Sequence, residues 1–177
     1  GHLELAHETC DSPHIDSAAQ ALERMETMID DLLTLARAGK SVDDPEPIPL
    51  ASVVADSWAA VSSNDVELDM DIPGDEDVEA DDDRLRHVFE NLFRNAIEHN
   101  GSPVTIRVGT LSDERGSVSG FYIADDGTGI PESDREEVFE HGYTTNTDGT
   151  GFGLSIVEEI VEAHGWTISV SESDAGG

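Results

Sequence analysis

The chain has 177 residues, with 40 Asp or Glu against 9 Lys or Arg, a formal net charge of −31. That length suits one domain plus an appendage, or two small ones, and 37% hydrophobic residues give enough apolar material for a core, which argues against wholesale disorder. So acidic a surface repels phosphate backbones and anionic headgroups, which argues against nucleic acid and membrane surfaces as partners.

No apolar run approaches the ~18 residues of a membrane span, and no charged-then-apolar leader opens the chain. The single Cys10 excludes an internal disulfide and a cysteine-based zinc site. A cytoplasmic globular chain is expected. Lys40 is the only lysine, and the acids are spread along the whole length rather than gathered in a tail. Self-repulsion of this size is relieved when molar salt shortens the screening length to ~3 Å, so the composition points to a salt-accumulating cytoplasm.

In chain order, Leu3, Leu5 and Ala6 read as the tail of a helix that turns through Thr9–Ser12. Ile15, Ala18, Leu22, Met25, Ile29, Leu32 and Ala36 then step alternately by three and four, the heptad seam of a coiled coil or bundle. Ser12 and Pro13 make a start for that helix and Gly39 a stop. The expected unit over residues 1–40 is an antiparallel helical hairpin whose first arm is too short to cover the second. It would dimerise, and the first helix would continue upstream of Gly1.

Residues 41–49 are polar and proline-punctuated, hence a linker. Beyond it, Leu50–Val61 reads as a helix, Val66–Ile72 as a strand, and Val78–Ala80 as a second short strand. Asp82–Asn100 is a long amphipathic helix with Leu85, Val88, Phe89, Leu92, Phe93 and Ala96 on one side. Pro103–Thr110 and Val118–Ala124 read as strands, the second apolar enough to be central. Glu132–Phe139 reads as a short helix, His141–Thr150 as a polar loop, Phe152–His164 as a helix and Trp166–Val170 as a strand. The fold class is α+β, a two-layer sandwich with a mixed sheet and helices on one face over residues 50–177.

Three clusters in this second unit carry chemistry. Asn91 and Asn95 are four apart, so both amides leave one face of the long helix beside its apolar stripe. They suit backbone capping, or ligation of a hard cation such as magnesium, which keeps waters and bridges nucleotide phosphates. Asp125-Asp126-Gly127-Thr128-Gly129-Ile130 follows an apolar strand. It is an ordinary acidic turn, or a place where backbone approaches a ligand and Asp125 accepts from an exocyclic amine. Gly149-Thr150-Gly151-Phe152-Gly153-Leu154 opens a helix, which makes it a flexible turn or an anion cradle of N–H groups and helix dipole.

In this order the clusters resemble the GHKL ATP-binding fold, specifically the catalytic domain of sensor histidine kinases. Asn91 to Ala96 resembles the N box, Asp125 to Gly129 the first glycine box, Val138-Phe139-Glu140 the F box, and Gly149 to Gly153 the second glycine box. The helix ending Asp31-Leu32-Leu33-Thr34-Leu35-Ala36-Arg37 is similar to the second helix of their dimerisation domain.

The resemblance implies ATP as substrate and Mg2+ as cofactor, with Asn95 on the metal and Asn91 one turn earlier. It implies Asp125 on the adenine amine, with Gly127 and Gly129 against the base. Gly149, Thr150, Gly151, Gly153 and Leu154 would lie at the phosphates under a lid formed by His141–Asp148. A homodimer and a response-regulator receiver domain are the implied partners. ATPases of the wider fold carry a glutamate where Asn91 stands, and an amide there cannot take a proton from water, which favours transfer over hydrolysis. Glu90 points about 100° away on the helix and is not assigned that role.

Several departures from the family pattern matter. Glu98 stands where many such kinases have a lysine, and the lid has no Lys or Arg. His2, His7 and His14 do not complete a phosphoacceptor motif, so the acceptor is expected upstream of Gly1. The rival readings are a non-catalytic nucleotide-binding and dimerisation module, favoured by Glu98 and the uncharged lid, and a chaperone- or topoisomerase-type ATPase, disfavoured by Asn91.

Overall fold

The computed structural model describes residues 41–42, 44–61, 66–74, 76–100, 103–115, 117–144 and 150–173, and scattered positions between 18 and 34. The expected first arm at residues 3–6, the Ser12–Pro13 start, the Gly39 stop, His2, His7, His14, Cys10 and Gly149 lie outside the described residues. Ala18, Leu22, Met25, Ile29 and Leu32 of the heptad seam are all helical and exposed, Met25 by 52% and Ile29 by 57%.

The second unit begins earlier than the proline pattern suggests. Glu46–Pro49 is strand β1, followed directly by helix α1, Leu50–Val61. Strand β2 is Val66–Asp71 and β3 is Asp77–Ala80, antiparallel to β1 with Ile48 opposite Val78. Pro47 and Pro49 occupy alternate positions of β1, so the ladder can run through the intact N–H groups of Glu46 and Ile48. That explains how a proline-rich stretch is a strand and not only a linker. Leu50 N–H then donates to Glu76 O at 3.0 Å, fastening the start of α1.

Helix α2 is Asp82–Asn100. Asp81 caps it, its Oδ1 accepting Arg84 N–H at 3.0 Å, and Asp82 and Asp83 place negative charge in the first turn. Strand β4 is Val104–Ser112 and β5 is Val118–Asp125. β2 runs parallel to β4 and β5 antiparallel to it, in the order β2-β4-β5, so the sheet is mixed, as the sequence implies. The centre, however, is β4 and not β5. Val104, Ile106 and Val108 of β4 are buried, whereas no residue of β5 is fully buried.

Glu132–Phe139 is not one short helix but two 3₁₀ turns, Glu132–Asp134 and Glu137–Phe139. Neither has a side-chain cap bond, and so few residues do not repay nucleation of an α-helix. Helix α3 is Gly153–Ala163.

Residues 166–170 alternate between half-buried and exposed, as a strand would, but carry no ladder. Trp166 N–H is taken by Val161 O, and the segment meets β5 through side chains. The Trp166 ring lies edge-on to Phe121 at 6.1 Å, and Ser173 Oγ donates to Asp125 O.

One core joins α1, α2 and the sheet through Leu50, Val53, Val54, Leu85, Phe89, Phe93, Ile106 and Val108. Trp58 packs edge-on to Phe93 at 5.3 Å. A second cluster, Val88 with Ile156, Val157, Ile160 and Val161, sets α3 beside α2. At the far end, His164 Nε2 accepts Asp81 N–H at 3.0 Å, so the end of α3 is tied to the start of α2. The start of α3 is thereby held near the middle of α2. Among the described residues, no helix is long and apolar enough to cross a membrane.

Candidate functional site

Burial of Leu85, Val88, Phe89, Phe93 and Ala96 fixes the rotation of α2 and leaves Asn91 and Asn95 on the flank that faces α3. Asn91 Nδ2 donates to His87 O one turn earlier at 2.9 Å, which leaves its oxygen for another partner. Asn95 Nδ2 is buried with no hydrogen-bond partner among the described residues. A Cβ placed on Gly153 would stand 3.4 Å from both Asn91 Oδ1 and Asn95 Oδ1. The two amides therefore look across a narrow gap at the first residue of α3, where the helix's free N–H groups begin.

At the other end, β5 delivers Asp125 to the mouth of the sheet. Its Oδ1 accepts Gly127 N–H at 3.0 Å and Asn100 Nδ2–H at 2.9 Å. Asn100 Oδ1 in turn accepts Thr128 N–H at 3.0 Å. Gly127 passes so close to the Asn100 amide that a Cβ there would overlap it. The glycine is required by space and not by its backbone angle. Gly129, by contrast, has φ +66°, which only glycine adopts readily. Asp126 Oδ1 accepts Thr105 N–H at 2.8 Å, and that bond holds the Asp126 carboxyl below the usual carboxylate range.

The loop that follows is tethered at both ends. Tyr143 OH donates to Asp134 Oδ2 at 3.1 Å; burial, and secondarily that carboxylate, push the phenol up. Gly142 N–H donates to Gly151 O at 2.9 Å, with φ +85° and +72° at the two glycines. A Cβ on Gly151 would run into the Gly142 backbone at 2.6 Å. Of the expected lid, residues 141–144 are described, and 145–149 lie outside the described residues.

One open cleft is lined by Asn91, Asn95, Asp125, Gly129, Thr150, Gly151, Gly153 and Leu154. The structure thus brings together the described residues expected to touch nucleotide or metal, except Gly127, whose N–H is held by Asp125. Glu98 is exposed on the cleft rim and Arg94 half-buried along it. Asn100 was missing from the sequence reading. Its one signal is an amide at the end of a long helix, and nothing in the spacing joins it to Asp125, 25 positions away.

Residues 80–177 match the family of histidine kinase-, DNA gyrase B- and HSP90-like ATPases. The adaptive-response sensory kinase SasA of a Synechococcus species is 33% identical over 169 residues, covering 89% of this chain and 45% of that protein. The probable sensor histidine kinase TcrY of Mycobacterium tuberculosis is 35% identical over 188 residues, covering 98% of this chain and 39% of that protein. The chain therefore spans less than half the length of these relatives. Among solved structures, the nucleotide-free catalytic domain of histidine kinase ThkA superposes with a TM-score of 0.65 at 27% identity, over 75% of this chain and 90% of that one.

Proposed function

This chain belongs to the family of histidine kinase-, DNA gyrase B- and HSP90-like ATPases, and from that footing we propose that it is the ATP-binding catalytic core of a two-component sensor histidine kinase. The catalytic unit is residues 46–177, the expected 50–177 together with β1. The observation that carries the reading is the pairing of Asn91 and Asn95 with Gly153 at one end of a cleft whose other end holds Asp125.

Asp125 receives the exocyclic amine of adenine, and Gly127 and Gly129 let the base lie against backbone. Gly149, Thr150, Gly151, Gly153 and Leu154 lie along the phosphates, met by the N–H groups and dipole of α3. The donor set suits magnesium. Among the described residues no three His, Cys, Asp or Glu side chains gather as a metal site, whereas a cation that keeps its waters needs only one or two protein oxygens beside phosphate. Asn95 would hold it, with Asn91 alongside. Bound there, it would neutralise charge on the transferred group.

With an amide at Asn91, the cleft has no group at that position to deprotonate water, so the γ-phosphoryl is directed to a protein nucleophile. The bond to the ADP oxygen breaks and a bond to an imidazole nitrogen forms, the displaced imidazole proton leaving to solvent. A receiver-domain aspartate of a response regulator then takes the group. The acceptor histidine lies outside residues 1–177. The exposed apolar positions from Leu22 to Leu33 support a homodimer through that helix. The charge of −31 supports a halophilic, haloarchaeal type of cytoplasm.

The test supplies a dimerisation domain with an intact acceptor histidine to the full chain and γ-labelled ATP, in dilute buffer and in molar KCl. The expected result is acid-labile, base-stable label on the supplied domain, stronger in KCl and absent with Asn95→Ala. Label on the chain itself would make His7 or His14 the acceptor. Phosphate release without transfer would favour the chaperone- or topoisomerase-type ATPase. Tight ATP binding with no transfer at any salt would favour a non-catalytic module, the reading for which exposed Glu98 speaks.

A further inference from the structure

Asn100 is the last residue of α2, and its side chain serves three groups at once. Nδ2 donates to Ala96 O at 3.0 Å and to Asp125 Oδ1 at 2.9 Å, while Oδ1 accepts Thr128 N–H at 3.0 Å. A primary amide has two N–H donors and one carbonyl, so both donors are committed. Its orientation is also settled. Rotated by half a turn, the amide would set its oxygen against the Ala96 carbonyl and the Asp125 carboxylate, and its NH2 against the Thr128 N–H.

Asp125 Oδ1 thus takes two N–H groups, one from the end of α2 and one from Gly127 of its own loop. Those two bonds leave Oδ2 for a donor arriving from the cleft. Gly127 has no room for a side chain because the Asn100 amide fills that space.

We infer that Asn100 is the positioning residue that aims the Asp125 carboxylate, and so sets selectivity for a nucleotide whose base carries an exocyclic amine. It acts through Asp125, and the inference rests on the reading of Asp125 as the acceptor of that amine. Loss of the Asn100 donor leaves the carboxylate held by Gly127 N–H alone, free to rotate about its χ2 and to be solvated from the side that faces α2.

The experiment titrates ATP and purine riboside 5′-triphosphate, which lacks the exocyclic amine, onto the full chain and onto Asn100→Ala, Asn100→Ser and Asp125→Ala. A hydrogen bond to a charged acceptor implies that the unaltered chain prefers ATP by ~10-fold or more. Asn100→Ala should bring that preference within ~3-fold, by weakening ATP more than the amine-free nucleotide. Asn100→Ser, whose hydroxyl can both donate and accept, should recover part of the preference.

An Asn100→Ala chain that keeps the full preference overturns the inference and leaves the Asp125 reading intact. Equal weakening of both nucleotides, without recovery in Asn100→Ser, makes Asn100 merely structural and overturns it too. An unaltered chain that binds the two nucleotides equally, with Asp125→Ala no different, removes the Asp125 reading itself and the inference with it.

Discussion

At the Asp125 end of the cleft the polar side chains are bonded to other elements, whereas at the Gly153 end Asn95 keeps a buried N–H group with no partner among the described residues. The loop Asp125 to Gly129 is anchored by Asn100 from α2, by the Asp126–Thr105 pair from β4 and by Ser173 Oγ on Asp125 O. Among the described residues, Gly142 and Gly151 are joined by a backbone hydrogen bond between two left-handed glycines. An unsatisfied buried donor costs about 1–3 kcal/mol, which a fold tolerates where a ligand will supply the missing partner. The Asp125 end is therefore preorganised, and on the proposed reading the Gly153 end is the set of amides and helix N–H groups that the phosphates of a nucleotide would complete.

Replacing the matching glycine at each end breaks or sharpens that contrast. Gly127→Ala is the larger change. The new methyl needs the space of the Asn100 amide, and moving that amide gives up its bonds to Ala96, Asp125 and Thr128. A loss of about 3 kcal/mol in denaturant unfolding is expected, together with loss of ATP preference. Gly151→Ala meets the Gly142 backbone and a φ of +72°, and the contact disturbs the Gly142 N–H to Gly151 O bond, one hydrogen bond against the three that Asn100 makes. The expected cost to folding is only about 1–2 kcal/mol, set by the left-handed strain, while ATP affinity measured by calorimetry falls ~10-fold or more. If Gly151→Ala costs more folding stability than Gly127→Ala, the phosphate end is the rigid one and the contrast is reversed.

Much of the candidate site is legible in the sequence because it repeats along regular elements. Asn91 and Asn95 share a face by the period of the helix, and the apolar residues that rotate α2 are the ones the same period selects. Asn100 escaped because it lies ~140° round the helix from Asn95, at an end where its side chain leaves the helix for a loop. Strand β1 was hidden by prolines that an edge ladder tolerates at alternate positions. Centrality of a strand was misjudged from its own apolar content, whereas it depends on which neighbours pair. β4 is central despite carrying Arg107 on its exposed face, paired there with Asp69 of β2 at 2.9 Å. Residues 166–170 have the alternation of a strand without its ladder, since alternation reports burial and not backbone pairing.

The smallest expected effect concerns Asp126, which anchors the preorganised end from the exposed side. Its carboxyl is held below the ordinary value of 3.8 by the Thr105 N–H, so the folded chain binds its proton less readily than the unfolded chain. A group depressed in this way stabilises the fold fully above the ordinary value. Its contribution disappears as pH falls through the ordinary value and then the lower folded one. Asp126→Asn keeps an oxygen for the Thr105 N–H but carries no charge to lose. The stability difference between the unaltered chain and Asp126→Asn should be small and constant above about pH 5, then shrink as pH falls below the ordinary value. Because the other carboxylates titrate alike in both proteins, the difference isolates this one bond. Paired denaturant curves across that range give the answer. A difference that stays constant as pH falls well below 3.8 would mean that the Thr105 N–H does not distinguish the ionised acid from an amide. The Asp126 charge would then add nothing to the anchoring that the Asp125–Gly129 loop has from Asn100, Ser173 and the Thr105 carbonyl.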